Sequence, residues 1–299
     1  MGVALKPLLR LRRLREEHIR RLVESDDPIK ETWKILVDLW DTSFSGGAYF
    51  RQEDTISEFE WELNNTFFEI YDYLYEQMAK FPFKLENPIV IIDGMSIREG
   101  NLLFKDLEKC YNIVDYSYGF SALPSTTERF RNILGVKYTE VKSGKVPSGI
   151  DFRLPVWVSY PDEILHHAAR IIPPPEAYNK TKQVLLEILS MVEGVTVTIT
   201  SDHGYIMVDS VWALGAGDRR FLKERIFGSS RYVEISRFGQ KDLERLRELP
   251  KDASYVLIDD NYCYVRGRYF WPIEGYGKVV VHGGLSLMEC IVPRIEVKL

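Results

Sequence analysis

Cysteine is scarce in this sequence, which contains Cys110, Cys263 and Cys290 and no other. The number is odd, the spacings are long, and no Cys-x-x-Cys pair occurs. This pattern excludes a disulfide framework and a thiolate metal site. It is typical of a protein in a reducing compartment, so we expect a cytoplasmic location.

Long apolar runs are missing as well. No segment approaches the roughly 20 apolar residues that a membrane helix requires. The leucine-rich N-terminus is interrupted by Arg10, Arg12, Arg13 and Arg15, so no signal-peptide core is predicted. The net charge of −5 argues against a general nucleic-acid binder. We therefore expect a soluble protein without membrane contact, in which any phosphate compound is held by a specific site.

The first 85 or so residues carry apolar side chains at helical spacing. The pattern predicts a basic first helix through Leu8 and Leu22, a second helix over Ile29 to Trp40, and a third over Ile56 to Leu74. We therefore predict a helical N-terminal region at residues 1–85. Its basic first helix is either a docking surface for a protein partner or an amphipathic helix packed on the core.

Strands alternate with helices from residue 86 onwards. The apolar run Ile89 to Ile92 predicts a buried strand, and further strands are predicted at Ile113 to Tyr118, Val156 to Tyr160 and Val195 to Thr200. The predicted helices are at residues 98–111, from 126 onwards, and at 176–192, 221–227 and 240–249. This alternation predicts an α/β domain with a mostly parallel central sheet at residues 86–299. The less regular stretch at about 206–278 is predicted to be an insertion.

Three aspartates follow predicted strands. Asp93 and Asp202 lie directly after strand ends, and Asp162 lies just past a third. Such a residue is often only a turn or helix-cap residue. Ligands of open parallel sheets, however, bind at the carboxyl ends of the strands, so the three carboxylates are expected to meet in one crevice. Converging carboxylates repel one another unless cations neutralise them.

Histidines accompany these aspartates. His203 follows Asp202, and His282 follows a predicted strand over 278–281. His166 lies four residues after Asp162, so both would lie on one face of a helix that begins near Pro161. A solvated helical pair is the alternative for those two residues. Imidazole and carboxylate ligands together suit zinc or manganese.

Three hydroxyl side chains, Ser125, Thr126 and Thr127, precede a helix-compatible stretch. The free N–H groups and positive dipole end of a helix N-terminus favour a phosphoryl anion. One of the three hydroxyls is expected to cap the helix. The others are candidates for a reacting group.

Four motifs resemble the PglZ domain, a branch of the alkaline-phosphatase superfamily. They are Val90 to Met95, Ala122 to Thr127, Thr200 to Gly204, and His282 to Leu287 continued by Val292-Pro293. The resemblance covers roughly residues 86–299. It implies an alkaline-phosphatase-like α/β/α sandwich, preceded by the helical N-terminal region, that binds two divalent metal ions. Zinc is the expected metal, and manganese is the alternative.

The resemblance also implies roles for particular side chains. The implied ligands are Asp162, His166 and His282 for one ion, and Asp93, Asp202, His203 and the Thr127 hydroxyl for the other. Thr127 is the implied nucleophile, with Thr126 as the alternative, and His167 competes with His166 as a ligand. PglZ sequences often have an arginine soon after the Asp-Gly pair, and Arg98 is the arginine that follows here, so it is predicted to bind substrate.

The implied activity is that of a metal-dependent phosphodiesterase, which acts on nucleotide-type or other phosphate diesters through a threonine nucleophile. Its partner would be a phosphate-ester substrate such as a nucleotide or oligonucleotide, and a preference for monoesters stays open. Sulfatase chemistry is disfavoured because no Cys/Ser-x-Pro-x-Arg segment surrounds Thr127. The alternative function is a non-catalytic PglZ module that serves as an interaction component of a phage-defence or signalling system.

Overall fold

The computed structural model describes residues 16–40, 46–81, 88–165, 174–207, 212, 214, 216–249, 255–270 and 280–299. The helices are α1 (16–23), α2 (Pro28–Leu39), α3 (Gly46–Thr66), α4 (Ile70–Lys80), α5 (Ile97–Leu107), α6 (Thr127–Leu134), α7 (Asp162–Leu165), α8 (Pro174–Leu189), α9 (Ala216–Phe221), α10 (Gln240–Glu248) and α11 (Leu287–Cys290). A π-helical segment (Leu222–Phe227) continues α9, and a 3-10 turn (Ile235–Arg237) precedes α10. Three predictions lie outside the described residues: the start of the basic first helix, the ligand His166 and its competitor His167.

The strands are β1 (Ile89–Ile92), β2 (Asn112–Phe120), β3 (Thr139–Val141), β4 (Val156–Val158), β5 (Thr196–Ser201), β6 (Ile206–Met207), β7 (Tyr232–Glu234), β8 (Val256–Ile258), β9 (Tyr262–Val265), β10 (Val280–Val281) and β11 (Ile291–Lys298). Six of them form the central sheet in the order β2-β11-β5-β1-β4-β3. Strands β3, β4, β1 and β5 pair in parallel, whereas β11 is antiparallel to both β5 and β2. The predicted mostly parallel sheet is confirmed.

Helices cover both faces of this sheet. Because side chains alternate along a strand, Val90 and Ile92 point to one face and pack in a core with residues of α5 and α8. Ile89 and Ile91 point to the other face and pack near Phe130 of α6. The continuous apolar run of β1 is explained by this double burial. The arrangement is the predicted α/β/α layering.

Strand β11 is an element that the strand patterns do not predict. Pro293 stands in its middle, and a proline in a central strand removes a ladder donor, which argues against a strand. In the structure Pro293 is paired with Tyr118 of β2, and its carbonyl accepts a hydrogen bond from Thr200 Oγ1 at 3.0 Å. The bond gives the Pro293 carbonyl a partner at a position that the pairing of β11 with β5 does not reach.

The N-terminal helices share a core with the sheet. Trp33 and Leu36 of α2 and Leu74 of α4 belong to one hydrophobic cluster with Phe120 of β2 and Ile291 of β11. The single helix predicted over Ile56 to Leu74 is wrong, because α3 ends at Thr66 and α4 begins at Ile70. The break follows Asn64, Asn65 and Thr66, which are weak helix formers, and Asn65 and Thr66 bond to carbonyls one turn back.

The region predicted as an insertion leaves and rejoins the domain through a two-stranded ribbon, in which β6 pairs antiparallel with β10. Between these strands lies a three-stranded antiparallel sheet in the order β7-β9-β8. It packs with α9 and α10 around buried Trp212, Phe221 and Leu246. We call the described residues between 212 and 270 the insertion subdomain.

Candidate metal centre

The three predicted aspartates meet where β1, β4 and β5 end. These strands are parallel neighbours, with β1 in the middle. The backbone N–H of Asp93 donates to the carbonyl of Val158 at 2.9 Å, and that of Asp162 donates to the carbonyl of Asp93 at 3.2 Å. Gly94 donates its N–H to Asp202 Oδ1 at 3.0 Å. Backbone hydrogen bonds therefore hold the three residues together at one edge of the sheet.

Gly94 makes this approach possible. Its φ of +70° lies in the left-handed region, which residues with a Cβ adopt at a cost. A Cβ at this position would lie 3.0 Å from Asp162 Cβ and 3.1 Å from Asp162 Oδ1. Glycine is therefore needed both for the turn after β1 and for the space that Asp162 occupies.

Asp93, Asp202 and His203 form the first group of candidate ligands, which we call the inner group. All three are buried, and one ligand atom from each lies within 4.8 Å of the others. His203 Nε2 is 3.7 Å from Asp93 Oδ1 and 3.5 Å from Asp202 Oδ2. Asp202 Oδ2 has no hydrogen-bond partner among the described residues. A buried carboxylate oxygen without a donor is costly, and a bound cation would remove that cost.

Asp162, His203 and His282 form a second group with the same spacing, which we call the outer group. Asp162 and His282 are partly exposed, and His282 Nε2 lies 3.9 Å from Asp162 Oδ1. His203 belongs to both groups. The resemblance assigns His203 to one ion, whereas in the structure it belongs to both groups of candidate ligands.

Backbone carbonyls orient both imidazole rings. His203 Nδ1 lies 3.0 Å from the carbonyl oxygen of Gly204, and His282 Nδ1 lies 3.1 Å from that of Ser125. A carbonyl can only accept, so each Nδ1 carries a hydrogen and each Nε2 faces the carboxylates. This is the usual second-sphere arrangement of metal-binding histidines.

The protein groups perturb each other strongly. Burial raises the pKa of Asp93 well above its ordinary value, and the charges of Asp202 and Asp162 raise it further. Burial lowers the pKa of His203, but Asp202, Asp162 and Asp93 outweigh it and raise that pKa to about 9. A proton held between imidazole and carboxylates occupies the position that a cation takes in a metal site. The donor set and its charge thus fit divalent cations.

Two of the three hydroxyls before α6 have structural partners. Thr126 is the N-cap of α6, and its Oγ1 accepts a hydrogen bond from the N–H of Arg129 at 3.3 Å. Ser125 Oγ donates to the carbonyl of Gly284 at 2.9 Å and accepts from the N–H of Gly283 at 3.0 Å. Ser125 therefore fastens the loop before α6 to the loop that carries His282.

Thr127 is the hydroxyl that faces the candidate ligands. Its Oγ1 donates to Asp93 Oδ1 at 3.0 Å and lies 3.1 Å from His203 Nε2. It occupies the first position of α6, where helix N–H groups are free of intrahelical partners. The Thr127 hydroxyl thus lies beside Asp93 and His203 of the inner group.

Comparison with known proteins agrees with this geometry. Residues 163–297 match the family described as the BREX system PglZ alkaline phosphatase-like domain. This segment is similar to the PglZ domain. The resemblance predicted from the four motifs is confirmed. Asp202, His203 and His282 lie within the matched segment, whereas Asp93, Thr127 and Asp162 precede it.

A curated protein that is similar to this chain is the alkaline phosphatase-like protein PglZ of Bacillus cereus. It is 30% identical to this chain over 134 residues, which are 41% of this chain and 15% of the relative. The chain thus matches a small part of that relative's length. Within the ranges that the structure describes, no helix has the length and apolar character needed to cross a membrane.

Arg98, predicted to bind substrate, lies away from the candidate ligands in a buried ion pair. Its side chain is fully buried, its Nε donates to Glu53 Oε2 at 2.6 Å, and its Nη1 donates to the carbonyl of Tyr205 at 2.9 Å. Glu53 also accepts from Arg268 at 2.6 Å. The prediction for Arg98 is therefore wrong, because the guanidinium has no surface to offer a substrate. It joins α3 to α5 instead.

Two further interactions support the site without any sequence signal. Trp157 of β4 is buried and donates its Nε1–H to Asp93 Oδ2 at 3.1 Å. Arg231 of the insertion subdomain forms a buried ion pair with Glu289 at 2.8 Å, and Glu289 Oε1 also accepts the N–H of Gly284 at 3.0 Å. The second interaction anchors the loop after His282. Neither pair is close in sequence, so periodicity and motif spacing do not reveal it.

Proposed function

We propose that the PglZ domain of this chain is a metal-dependent phosphodiesterase with Thr127 as its nucleophile. The observation that carries the proposal is the position of Thr127 Oγ1, which lies 3.0 Å from Asp93 Oδ1 and 3.1 Å from His203 Nε2 at the start of α6. A hydroxyl beside candidate metal ligands, at a helix terminus that favours anions, suits attack on phosphorus. The family's alkaline phosphatase-like description supports a phosphate-ester substrate.

The ligand chemistry supports two divalent cations, with zinc proposed and manganese as the alternative. One would be held by the inner group with the Thr127 hydroxyl. The other would be held by the outer group, which shares His203, joined by His166 as the resemblance implies. The buried Asp202 Oδ2 without a hydrogen-bond partner among the described residues supports a cation in the inner group. When bound, such cations lower the pKa of a coordinated hydroxyl and neutralise charge on a phosphoryl group.

The reaction of the chain's own groups follows from the geometry. Asp93 Oδ1 accepts the hydrogen bond of Thr127 and so orients Oγ1 before attack. Oγ1 then gives up its proton to solvent and forms a bond to phosphorus, while the bond from phosphorus to the ester oxygen on the opposite side breaks. That oxygen takes up a proton from solvent and leaves as the alcohol. Water breaks the phosphorus–Oγ1 bond of the phosphothreonine, releases a phosphate monoester and restores Thr127.

We propose a diester substrate because it carries one negative charge where a monoester carries two. A second charge calls for an additional cation near the reacting phosphate. Arg98, the arginine predicted for that role, is buried and paired with Glu53. Arg98 therefore supplies no positive charge to the reacting phosphate.

The test combines metal analysis with turnover of bis-p-nitrophenyl phosphate and p-nitrophenyl phosphate. We expect bound metal, a higher rate with the diester, loss of activity on chelation, and recovery with zinc or manganese. Thr127→Val should lower kcat by a factor of about 1,000 or more, as loss of a nucleophile does. Thr66→Val, an exposed threonine at the end of α3, is the matched control and should leave the rate unchanged.

Three results would count against parts of the proposal. A protein with neither bound metal nor metal-dependent turnover would contradict the phosphoesterase activity and favour a non-catalytic interaction module. Full activity of Thr127→Val would reject Thr127 as the nucleophile. A diester-to-monoester rate ratio at or below about one would reject the diester preference.

A further inference from the structure

The segment that follows His282 pairs with the backbone of the insertion subdomain. The N–H of Leu285 donates to the carbonyl of Val265 at 2.8 Å, and the carbonyl of Leu285 accepts the N–H of Gly267 at 2.9 Å. Val265 ends β9, and its own N–H donates to the carbonyl of Arg231 at 2.8 Å. The insertion subdomain is therefore hydrogen-bonded to the chain three residues after the candidate ligand His282.

A buried ion pair lies beside this backbone contact. Arg231 immediately precedes β7, and its Nε and Nη2 donate to the two carboxylate oxygens of Glu289, each at 2.8 Å. Its Nη1 also donates to the carbonyl of Tyr269 at 2.6 Å, and Nη2 donates to that of Gly267 at 2.7 Å. The side chains of Arg231 and Glu289 are 1% and 0% exposed. A two-pronged pair with these additional partners fixes both the place and the orientation of the Glu289 carboxylate.

Glu289 contacts both histidine-bearing loops, but through different groups. Its Oε1 accepts the N–H of Gly284, two residues after His282, at 3.0 Å. Its backbone carbonyl accepts the N–H of Gly204, the residue after His203, at 2.9 Å. A substitution at position 289 changes the side chain and keeps the carbonyl. The contact with the loop of His282 therefore depends on the side chain, whereas the contact with the loop of His203 depends on the backbone.

Gly284 allows Arg231 to lie directly against the loop. A Cβ at this position would lie 2.7 Å from Arg231 Nη2 and 2.8 Å from the carbonyl oxygen of Val265, and both distances are too short for a carbon atom. The carbonyl of Gly284 in turn accepts the hydroxyl of Ser125 at 2.9 Å. Two separate elements thus hold the loop after His282: the loop before α6 through Ser125, and the insertion subdomain through Arg231.

We propose that Glu289 is a positioning residue for the outer cation and that Arg231 of the insertion subdomain keeps its carboxylate in place. Glu289 holds the N–H of Gly284 and so fixes the loop that carries His282. The insertion subdomain thereby sets the affinity of the outer group for a divalent cation, whereas the inner group binds its cation independently of this pair. The inference rests on the metal centre proposed above and does not require phosphodiesterase activity.

Zinc titration of three variants tests the pair, and His282→Ala identifies which step of the titration belongs to the outer group. Arg231→Met leaves the Glu289 carboxylate buried without its cation, so the outer zinc should bind about tenfold or more weakly. Adding Glu289→Gln removes the unpaired charge and keeps an oxygen for the N–H of Gly284, so most of the affinity should return. Adding Glu289→Met instead removes that oxygen and should not restore it. The inner step should be the same as in the parent throughout.

The two double variants keep the test decisive if Arg231→Met alone does not fold. Both lack the buried charges and the same arginine hydrogen bonds, so the difference between them reports the contact of residue 289 with Gly284. Leu246→Ala is the matched control, because Leu246 lies in the hydrophobic core of the same subdomain. This variant should lower the unfolding temperature through its cavity and leave both zinc steps unchanged. A loss of outer zinc in Leu246→Ala equal to that in Arg231→Met would overturn the role of the pair.

Amide hydrogen exchange gives a second readout, which needs no metal. In the metal-free protein, peptides that cover residues 282–286 should exchange faster in the Arg231→Met/Glu289→Met variant than in Arg231→Met/Glu289→Gln, because the N–H of Gly284 loses its acceptor. Equal exchange and equal outer affinity in the two double variants would overturn the positioning role and leave the metal centre standing.

Turnover separates this proposal from the function proposed above. A parent that binds both zinc ions and shows the recovery by Glu289→Gln, but does not hydrolyse bis-p-nitrophenyl phosphate, would support the positioning role and contradict the phosphodiesterase activity. A parent that binds no zinc would contradict both the metal centre and the role of Glu289 in it. Hydrolysis with outer affinity unchanged in every variant would overturn the positioning role and leave the activity standing.

Discussion

The imidazole rings of His203 and His282 lie face to face, with centroids 4.1 Å apart and planes inclined by 16°. Each ring donates its Nδ1–H to a backbone carbonyl, so both Nε2 atoms face the aspartates. His203 belongs to both the inner group and the outer group, whereas His282 belongs to the outer group only. The two residues are therefore not equivalent, although both are histidines at the ends of strands.

Metal content should reflect this difference. We expect His203→Ala to lose both ions after dialysis, and His282→Ala to lose one and retain the other. Each lost ligand should weaken its site by more than the roughly 10–100-fold that removal of a second-sphere partner costs. Elemental analysis and metal titration measure both quantities. His18→Ala, which removes a histidine of α1, should retain both ions, and equal losses in the His203 and His282 variants would contradict the shared position of His203.

Gly94→Ala should damage the site more than it damages the fold. The positive φ at this position costs a residue with a Cβ about 1–2 kcal/mol, and the added Cβ also presses on Asp162. We expect a lower unfolding temperature together with weaker metal binding. Gly194 offers a matched control, because its φ is +73° and a Cβ there would meet no atom within 4 Å. Gly194→Ala should show the same loss of stability with unchanged metal affinity; weak metal binding in both variants would reject the role of the Asp162 contact.

Trp157→Phe should weaken metal binding through Asp93. The substitution removes the Nε1–H that Asp93 Oδ2 accepts but keeps an aromatic ring in the core. Loss of such a partner is expected to lower metal affinity about 10–100-fold. Trp212→Phe is the control, because Trp212 lies in the insertion subdomain's core, is equally buried and donates to Ser57 of α3. Competition with a chromophoric chelator compares the two variants, and indistinguishable affinities would contradict the prediction.

Glu53→Gln should destabilise the protein in a pH-dependent manner. Burial raises the pKa of Glu53, but Arg98 and Arg268 outweigh it and lower that pKa from 4.5 to about 2. The folded state thus favours the charged form, which contributes about 3 kcal/mol to the free energy of unfolding. This contribution is present above pH 4.5 and is lost as the pH falls towards 2. Near neutral pH we expect a loss of about 3–5 kcal/mol, since two buried arginines lose their shared charge.

Urea denaturation between neutral pH and about pH 3 measures this effect, and the difference between variant and parent should shrink as the pH falls. The control is Glu76→Gln, which removes an exposed glutamate of α4 that pairs with Lys80. Exposed pairs contribute about 0–1 kcal/mol, so this variant should unfold almost like the parent. A constant difference across the pH range would show that Glu53 contributes by packing rather than by charge.

Local signals predicted the elements well where burial and spacing agree. The apolar composition of Ile89 to Ile92 predicts a strand buried on both faces, and the structure has such a strand there. The apolar spacing does not predict the break between α3 and α4, because Phe67 and Ile70 continue that spacing across it. The sequence does not predict strand β11, because Pro293 argues against a central strand. The pairing of β11 depends on β2 and β5, which are distant in sequence.

The amino-acid order was sufficient to predict an α/β domain whose strand-end aspartates converge, because the carboxyl ends of parallel strands share an edge. It also placed Thr127 before a helix. The shared position of His203, the burial of Arg98 against Glu53 and the pairing of Arg231 with Glu289 required the folded chain. These features arise from contacts between residues far apart in sequence, where neither periodicity nor motif spacing carries information about distance or direction.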